Sequence, residues 1–194
     1  MSVSKTDKKY LTTICKKTNI ELTQNNINKT YNLDFFIDTN HTNVNDIFTF
    51  DFLFNLLNSL DKANDFIEST HILNKYSDDN YDILIIFKHI GSNFGFLKKY
   101  LSFNLKKSFD ENNNTVFNAV NINIDNNIIH NLDKVILHFA DMTIINDKNA
   151  LNKALIHNIF NIEIDKDLPK MMLNFVNLVM KNMVINLKQY IDTL

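Results

Sequence analysis

The chain has 194 residues and a mass of 22.7 kDa, enough for one domain with a buried core and too short to expect two. All 20 basic residues are Lys, Asn occurs 33 times, Asp outnumbers Glu by 18 to 4, and there are 2 Gly, 1 Pro, 1 Cys and no Trp. Two glycines exclude a Gly-rich phosphate loop or a dinucleotide fingerprint, each of which needs several positions of close backbone approach. A single cysteine, Cys15, excludes an internal disulfide framework and a cysteine-based zinc site. The net charge of −2 and pI near 6.3 argue against a strongly basic nucleic-acid face, and bidentate base contacts by Arg are absent altogether. Lys, Asn, Ile and Phe in excess without Arg is how a very AT-rich genome writes protein.

In chain order, MSVSKTDKKYLTTICKK lacks an apolar run of secretory length, so an intracellular protein is expected. Tyr10, Leu11, Ile14 and Cys15 then fall at one-turn intervals. Residues 19–45 carry the weakest signal, and LDFFI suits a strand or a helical turn equally. From Phe50 to Ile67, the residues Leu53, Leu56, Leu57, Leu60, Ala63 and Ile67 repeat at three and four, with Asp51 as N-cap, which predicts a helix. YDILIIFKHI and FGFLKKYLSFNLKKSF read as two helices joined by a tight corner at Gly91 to Asn93. Residues 110–127 form an Asn-rich loop or a short-strand insertion, because VNINI alternates.

Helical spacing returns at Ile129, Leu132, Val135, Ile136, Phe139 and Met142, and NALNKALIHNIF supports a shorter helix. Asp165 to Pro169 makes a helix start with Pro in the first turn. The stretch from Met171 to Leu187 is the most membrane-like, yet Asn174, Asn177, Lys181, Asn182 and Asn186 make it a poor spanning segment and a better buried amphipathic helix. The expected fold is therefore all-α, one domain over residues 1–194, built as a bundle of about seven helices around a buried central helix.

Constellations for catalysis are weak. His130 and His138 sit eight apart on one predicted helix, too far for shared metal ligation, and His138 with Asp141 reads as a solvated polar stripe. His41, His71, His89 and His157 lie in separate segments. Asp78, Asp79 and Asp82 lack the Gly turn and closing Glu of a cation loop. Cys15 lies beside Ile14 on an apolar stripe, where a core role is the common one. Lysine pairs at 8/9, 16/17, 98/99 and 106/107 would suit an acidic partner, but a lysine-rich chain produces such pairs by chance. No metal, no cofactor, no small-molecule substrate and no enzymatic activity are expected.

The placement of the glycines carries more information. Gly91 and Gly95 fall in one string, GSNFG, followed by FLKKYLSF. This resembles Bcl homology region 1 of the apoptosis-regulating Bcl family, with Phe94 in place of Trp, and LDKAND from Leu60 to Asp65 resembles homology region 3. The family's Arg is Phe96 here, and Lys98 or Lys99 stands as the nearest cation. The resemblance implies a viral-type anti-apoptotic protein of the host cytoplasm or mitochondrial outer membrane. Such a protein receives an amphipathic helix of host pro-apoptotic proteins in an apolar groove, and a homodimer is compatible with it. By position the groove would comprise Leu57, Leu60, Asp65, Phe87, Asn93, Phe94, Gly95, Leu97, Lys98, Lys99, Tyr100 and Phe103. Two alternatives stay open: a Bcl-fold signalling inhibitor working through an outer face, and a lysine-rich helical nucleic-acid or virion-associated protein.

Overall fold

The computed structural model describes residues 10–17, 19–39, 43–55, 67–89, 97–125 and 129–164, together with Lys181, Ile185, Gln189 and Ile191. Among these residues the chain is mostly β, and the expected all-α bundle is overturned. The strands are β1 (Leu11–Lys17), β2 (Ile20–Asn25), β3 (Thr30–Asp38), β4 (Ile67–Ser77), β5 (Asn80–Phe87), β6 (Lys99–Phe109), β7 (Thr115–Asn121), β8 (Asp133–Asp147) and β9 (Ala150–Glu163), with one short helix, α1 (Val44–Ile47), after β3. They form a single sheet in the order β1-β2-β3-β9-β8-β7-β6-β5-β4. Consecutive strands pair antiparallel within β1–β3 and within β4–β9, and β3 joins β9 antiparallel to unite the two meanders. Where β7 ends, the first residues of β8 take its place beside β6 in a short parallel pairing.

The predicted helices that the structure shows as strands have a physical reason for being so. The Tyr10–Cys15 stripe lies largely in β1, and LDFFI lies within β3. YDILIIFKHI contains β5, whose two faces are both covered: Tyr81, Ile83 and Ile85 enter one core, Leu84 the other. A strand buried on both faces reads as a continuous apolar run, which periodicity alone cannot assign. FLKKYLSFNLKKSF is largely β6, and NALNKALIHNIF is largely β9. The spacing of Val135, Ile136, Phe139 and Met142 comes from a β-bulge between Leu137 and Phe139. Val135 and Leu137 are buried before it, Ile144 after it; the extra residue shifts the alternation by one and imitates a step of three.

Of the predicted Phe50–Ile67 helix, residues 50–55 are helical, 56–66 lie outside the described residues and Ile67 belongs to β4. The predicted helix start at Asp165 to Pro169 also lies outside them, as does most of the stretch from Met171 onward. Lys181, Ile185, Gln189 and Ile191 are helical, and Ile191 is buried in the main core with Ile185 packed on it.

Hairpin turns are closed by Asn and Asp side chains rather than by glycine. Asn25 Oδ1 accepts hydrogen bonds from the Ile27 and Asn28 amides, and Asp110 Oδ1 from those of Asn112 and Asn114. Asn19, Asn113 and Asn131 hold positive φ of 68°, 61° and 64°, the conformation in which Asn is the next best residue after Gly. Asp78 and Asp79, which lack the marks of a cation loop in the sequence, form the β4–β5 corner. Asp79 N donates to Ser77 Oγ, and Asp78 pairs with Lys75.

Candidate ligand-binding face

One face of the sheet, hereafter the inner face, carries the main core. Because side chains alternate along a strand and stand opposite one another across it, register assigns residues to faces. Across six strands, Cys15, Leu22, Leu33, Asn158, Met142 and Phe117 form one continuous row. A neighbouring row runs from Tyr31 through Phe160, Ala140, Ala119 and Leu105 to Tyr81. Tyr31 stacks on Phe160 with ring centroids 5.1 Å apart, and burial pushes its phenol pKa up. Phe50, from the helical residues 50–55, stacks on Tyr81 at 3.6 Å. Ala119 and Ala140 face each other and are the least bulky pair in their row.

Among the polar atoms on this face, four stand apart. Thr70 Oγ1, Asn121 Oδ1, Asn146 Oδ1 and Asn158 Oδ1 are buried and have no hydrogen-bond partner among the described residues. Their cross-strand neighbours are Ile85 for Thr70, Phe103 for Asn121, Ala154 for Asn146, and Leu33 with Met142 for Asn158. Every one of these neighbours belongs to or packs on the main core, so all four atoms lie on the inner face. A buried acceptor without a partner costs about 1–3 kcal/mol. The described charges that share this face by register are Lys17, Lys75, Lys99, Asp133 and Lys107, all at strand ends or on the outermost strands.

The opposite face is covered over β5 and β6 by the segment between β7 and β8. Ile129 packs there with Leu84 and Tyr100, joined by Leu73, Ile86, Ile124 and Leu132. Lys134 Nζ fastens the segment by donating to Ile122 O at 2.7 Å and Asn123 Oδ1 at 3.0 Å. Beside this core Asp82 is buried, and its carboxylate accepts from Asn74 Nδ2, Tyr76 OH and Asn104 Nδ2 at 2.8–2.9 Å. Burial opposes its charge, but these three donors outweigh the burial and hold its pKa below the usual value.

The described members of the predicted helix groove are not gathered on one face. Leu57, Leu60, Asp65, Asn93, Phe94 and Gly95 lie outside the described residues. Leu97 is exposed, and Lys98 pairs with Glu68. Lys99 pairs with Asp133 at 2.9 Å. Tyr100 belongs to the core on the opposite face, whereas Phe87 and Phe103 belong to the inner face. From Lys99 to Phe109 the chain after the GSNFG string is a strand, where the Bcl resemblance requires a central helix.

The predicted His138–Asp141 stripe separates as well. His138 Nε2 meets Glu163 at 3.2 Å, and Asp141 accepts from Asn118 Nδ2 at 2.7 Å. His130 is exposed in the turn before β8. Among the described residues there is no cluster of three potential metal ligands and no helix long and apolar enough to cross a membrane. Sequence reasoning did not single out the four inner-face polar residues. Their signal is a lone Asn or Thr within an otherwise apolar alternating set, legible only once the strands are placed.

No protein-family model and no curated protein sequence matches the chain. Solved structures do resemble it in fold. The human StarD13 (DLC2) lipid transfer and protein localization domain superposes with a TM-score of 0.69 at 8% identity, covering 97% of this chain and 93% of that one. Human StAR-related lipid transfer protein 5 gives 0.66 at 8% identity, over 94% and 86% of the two chains. A fragment of the STAR-related lipid transfer protein from Xanthomonas axonopodis gives 0.64 at 9% identity, over 94% and 98%. The Bcl-family reading, with its anti-apoptotic function, is thereby corrected: the fold is START-like, an antiparallel sheet with helical residues packed on one face.

Proposed function

We propose that the protein binds a lipid or another apolar small molecule between the inner face of the sheet and the helical residues that pack on it. The observation that carries this reading is the inner face itself, apolar along rows that cross most of the sheet and joined by Ile185 and Ile191. Its likeness in fold to domains named for lipid transfer supports the same reading. Apolar surface removed from water contributes about 25 cal/mol per Å², so a ligand buried against such a face needs few polar contacts to be held.

Titration with a panel of neutral fluorescent lipids, and transfer of each from donor vesicles, tests the proposal. Saturable binding at one ligand per chain is expected for at least one member. Ala140→Phe, which fills the space opposite Ala119, is expected to weaken that binding at least about tenfold while the β-type circular dichroism spectrum is kept. Absence of saturable binding across the whole panel would overturn the reading.

A further inference from the structure

We infer that the ligand of the inner face is an uncharged amphiphile bearing a hydrogen-bond donor, and that Asn158 Oδ1 receives that donor. The inference rests on the binding reading above and names the class of ligand. Asn158 is the one amide in its six-strand row, flanked directly by Leu33 and Met142, and its Oδ1 is buried without a partner. The cost of that unpaired oxygen is already present in the protein. A ligand hydroxyl or amide N–H that reaches it recovers this cost on binding, and an acceptor cannot. The oxygen is closed off by its neighbours, so the ligand reaches it by parting apolar side chains, which favours a slender apolar body behind the polar head.

Two of the other three unpartnered atoms are acceptors as well. Asn121 Oδ1 and Asn146 Oδ1 can only accept, whereas the Thr70 hydroxyl can accept or donate. A ligand carboxylate or phosphate brings oxygen acceptors to a surface where three of the four unpartnered atoms are amide oxygens and one, the Thr70 hydroxyl, could donate to it. The cations that could compensate stand at the margin of this face, at Lys17, Lys75, Lys99 and Lys107. Lys181, half-buried four residues before the core-packed Ile185, is the described cation that would favour an anion, and the anionic arm of the test measures its influence directly.

The experiment displaces a bound neutral fluorescent lipid with three ligands of equal chain length: hexadecanol, its methyl ether, and hexadecanoate at about pH 8, where the carboxylic acid is ionised. The alcohol is expected to bind about three- to tenfold more tightly than the ether, the equivalent of one hydrogen bond, and the carboxylate more weakly than both. Asn158→Leu, close in shape but without the acceptor, is expected to bring the alcohol-to-ether ratio to about one. Equal affinities for alcohol and ether in the unaltered protein overturn the inference and leave the binding reading intact, as does a carboxylate that binds tightest. An unchanged ratio in Asn158→Leu overturns the assignment to Asn158. If that variant does not fold, the three-ligand series on the unaltered protein decides alone. Failure of every ligand, the fluorescent lipid included, overturns the binding reading itself and this inference with it.

Discussion

At the scale of single residues, asparagine does the work that glycine does in most β proteins. Among the described residues, three of the four non-glycine residues with positive φ are Asn, the fourth being Lys29 at 58°. Asn and Asp side chains also close the turns that follow Asn25 and Asp110. The abundance of Asn is plain in the sequence, but its meaning is not: an Asn in a hairpin and an Asn on a solvated helix look alike until the flanking strands are known. Asp82 gives the residue-scale prediction. The residue is 6% exposed, and its carboxylate ties the edge strand β4 to β6 through Asn74 and Asn104. Asp82→Asn is expected to cost about 1–3 kcal/mol near neutral pH in chemical denaturation. Because the folded pKa is lowered, the stabilisation is present above the unfolded value and lost as pH falls through the folded one. The gap between the native protein and the variant therefore narrows below about pH 4.

At the scale of elements, bulges separate what periodicity could reveal from what it hid. In β3, Tyr31, Leu33, Phe35 and Ile37 alternate cleanly with exposed or half-buried residues, and the LDFFI string already admitted a strand. In β8 the bulge at His138 changes the phase halfway, so no single period fits the strand and a helical one fits by accident. The inner-face amides were illegible for the same reason, since the role of Asn158 depends on which residues stand beside it in β3 and β8. Deleting His138 restores uniform alternation and forces either Val135 and Leu137 or Met142 and Ile144 off the core. A loss of more than about 4 kcal/mol follows, and with it the cooperative unfolding transition in a denaturant titration. His138→Ala, which keeps the bulge, is expected to shift that transition little. The edge strand β4 carries register shifts at three places along its pairing with β5, irregularity that discourages pairing with another chain's edge.

At the scale of the molecule, the described sheet is almost entirely antiparallel and its meanders are local, apart from the one join between β3 and β9. Contacts of that range must be closed against chain entropy before they stabilise anything. Refolding followed by stopped-flow fluorescence is expected in the range of milliseconds to seconds, and completion within tens of microseconds would contradict the topology.

The join between β3 and β9 has a further consequence during synthesis. Asp34 and His157, which pair across it, are 123 residues apart. A ribosome adding about 5–20 residues per second spends roughly 6–25 s between them. Throughout that interval the nascent β1–β3 meander shows a strand edge whose partner has not yet been made. The window in which a cellular chaperone would matter most is thereby set by the position of one strand in the gene.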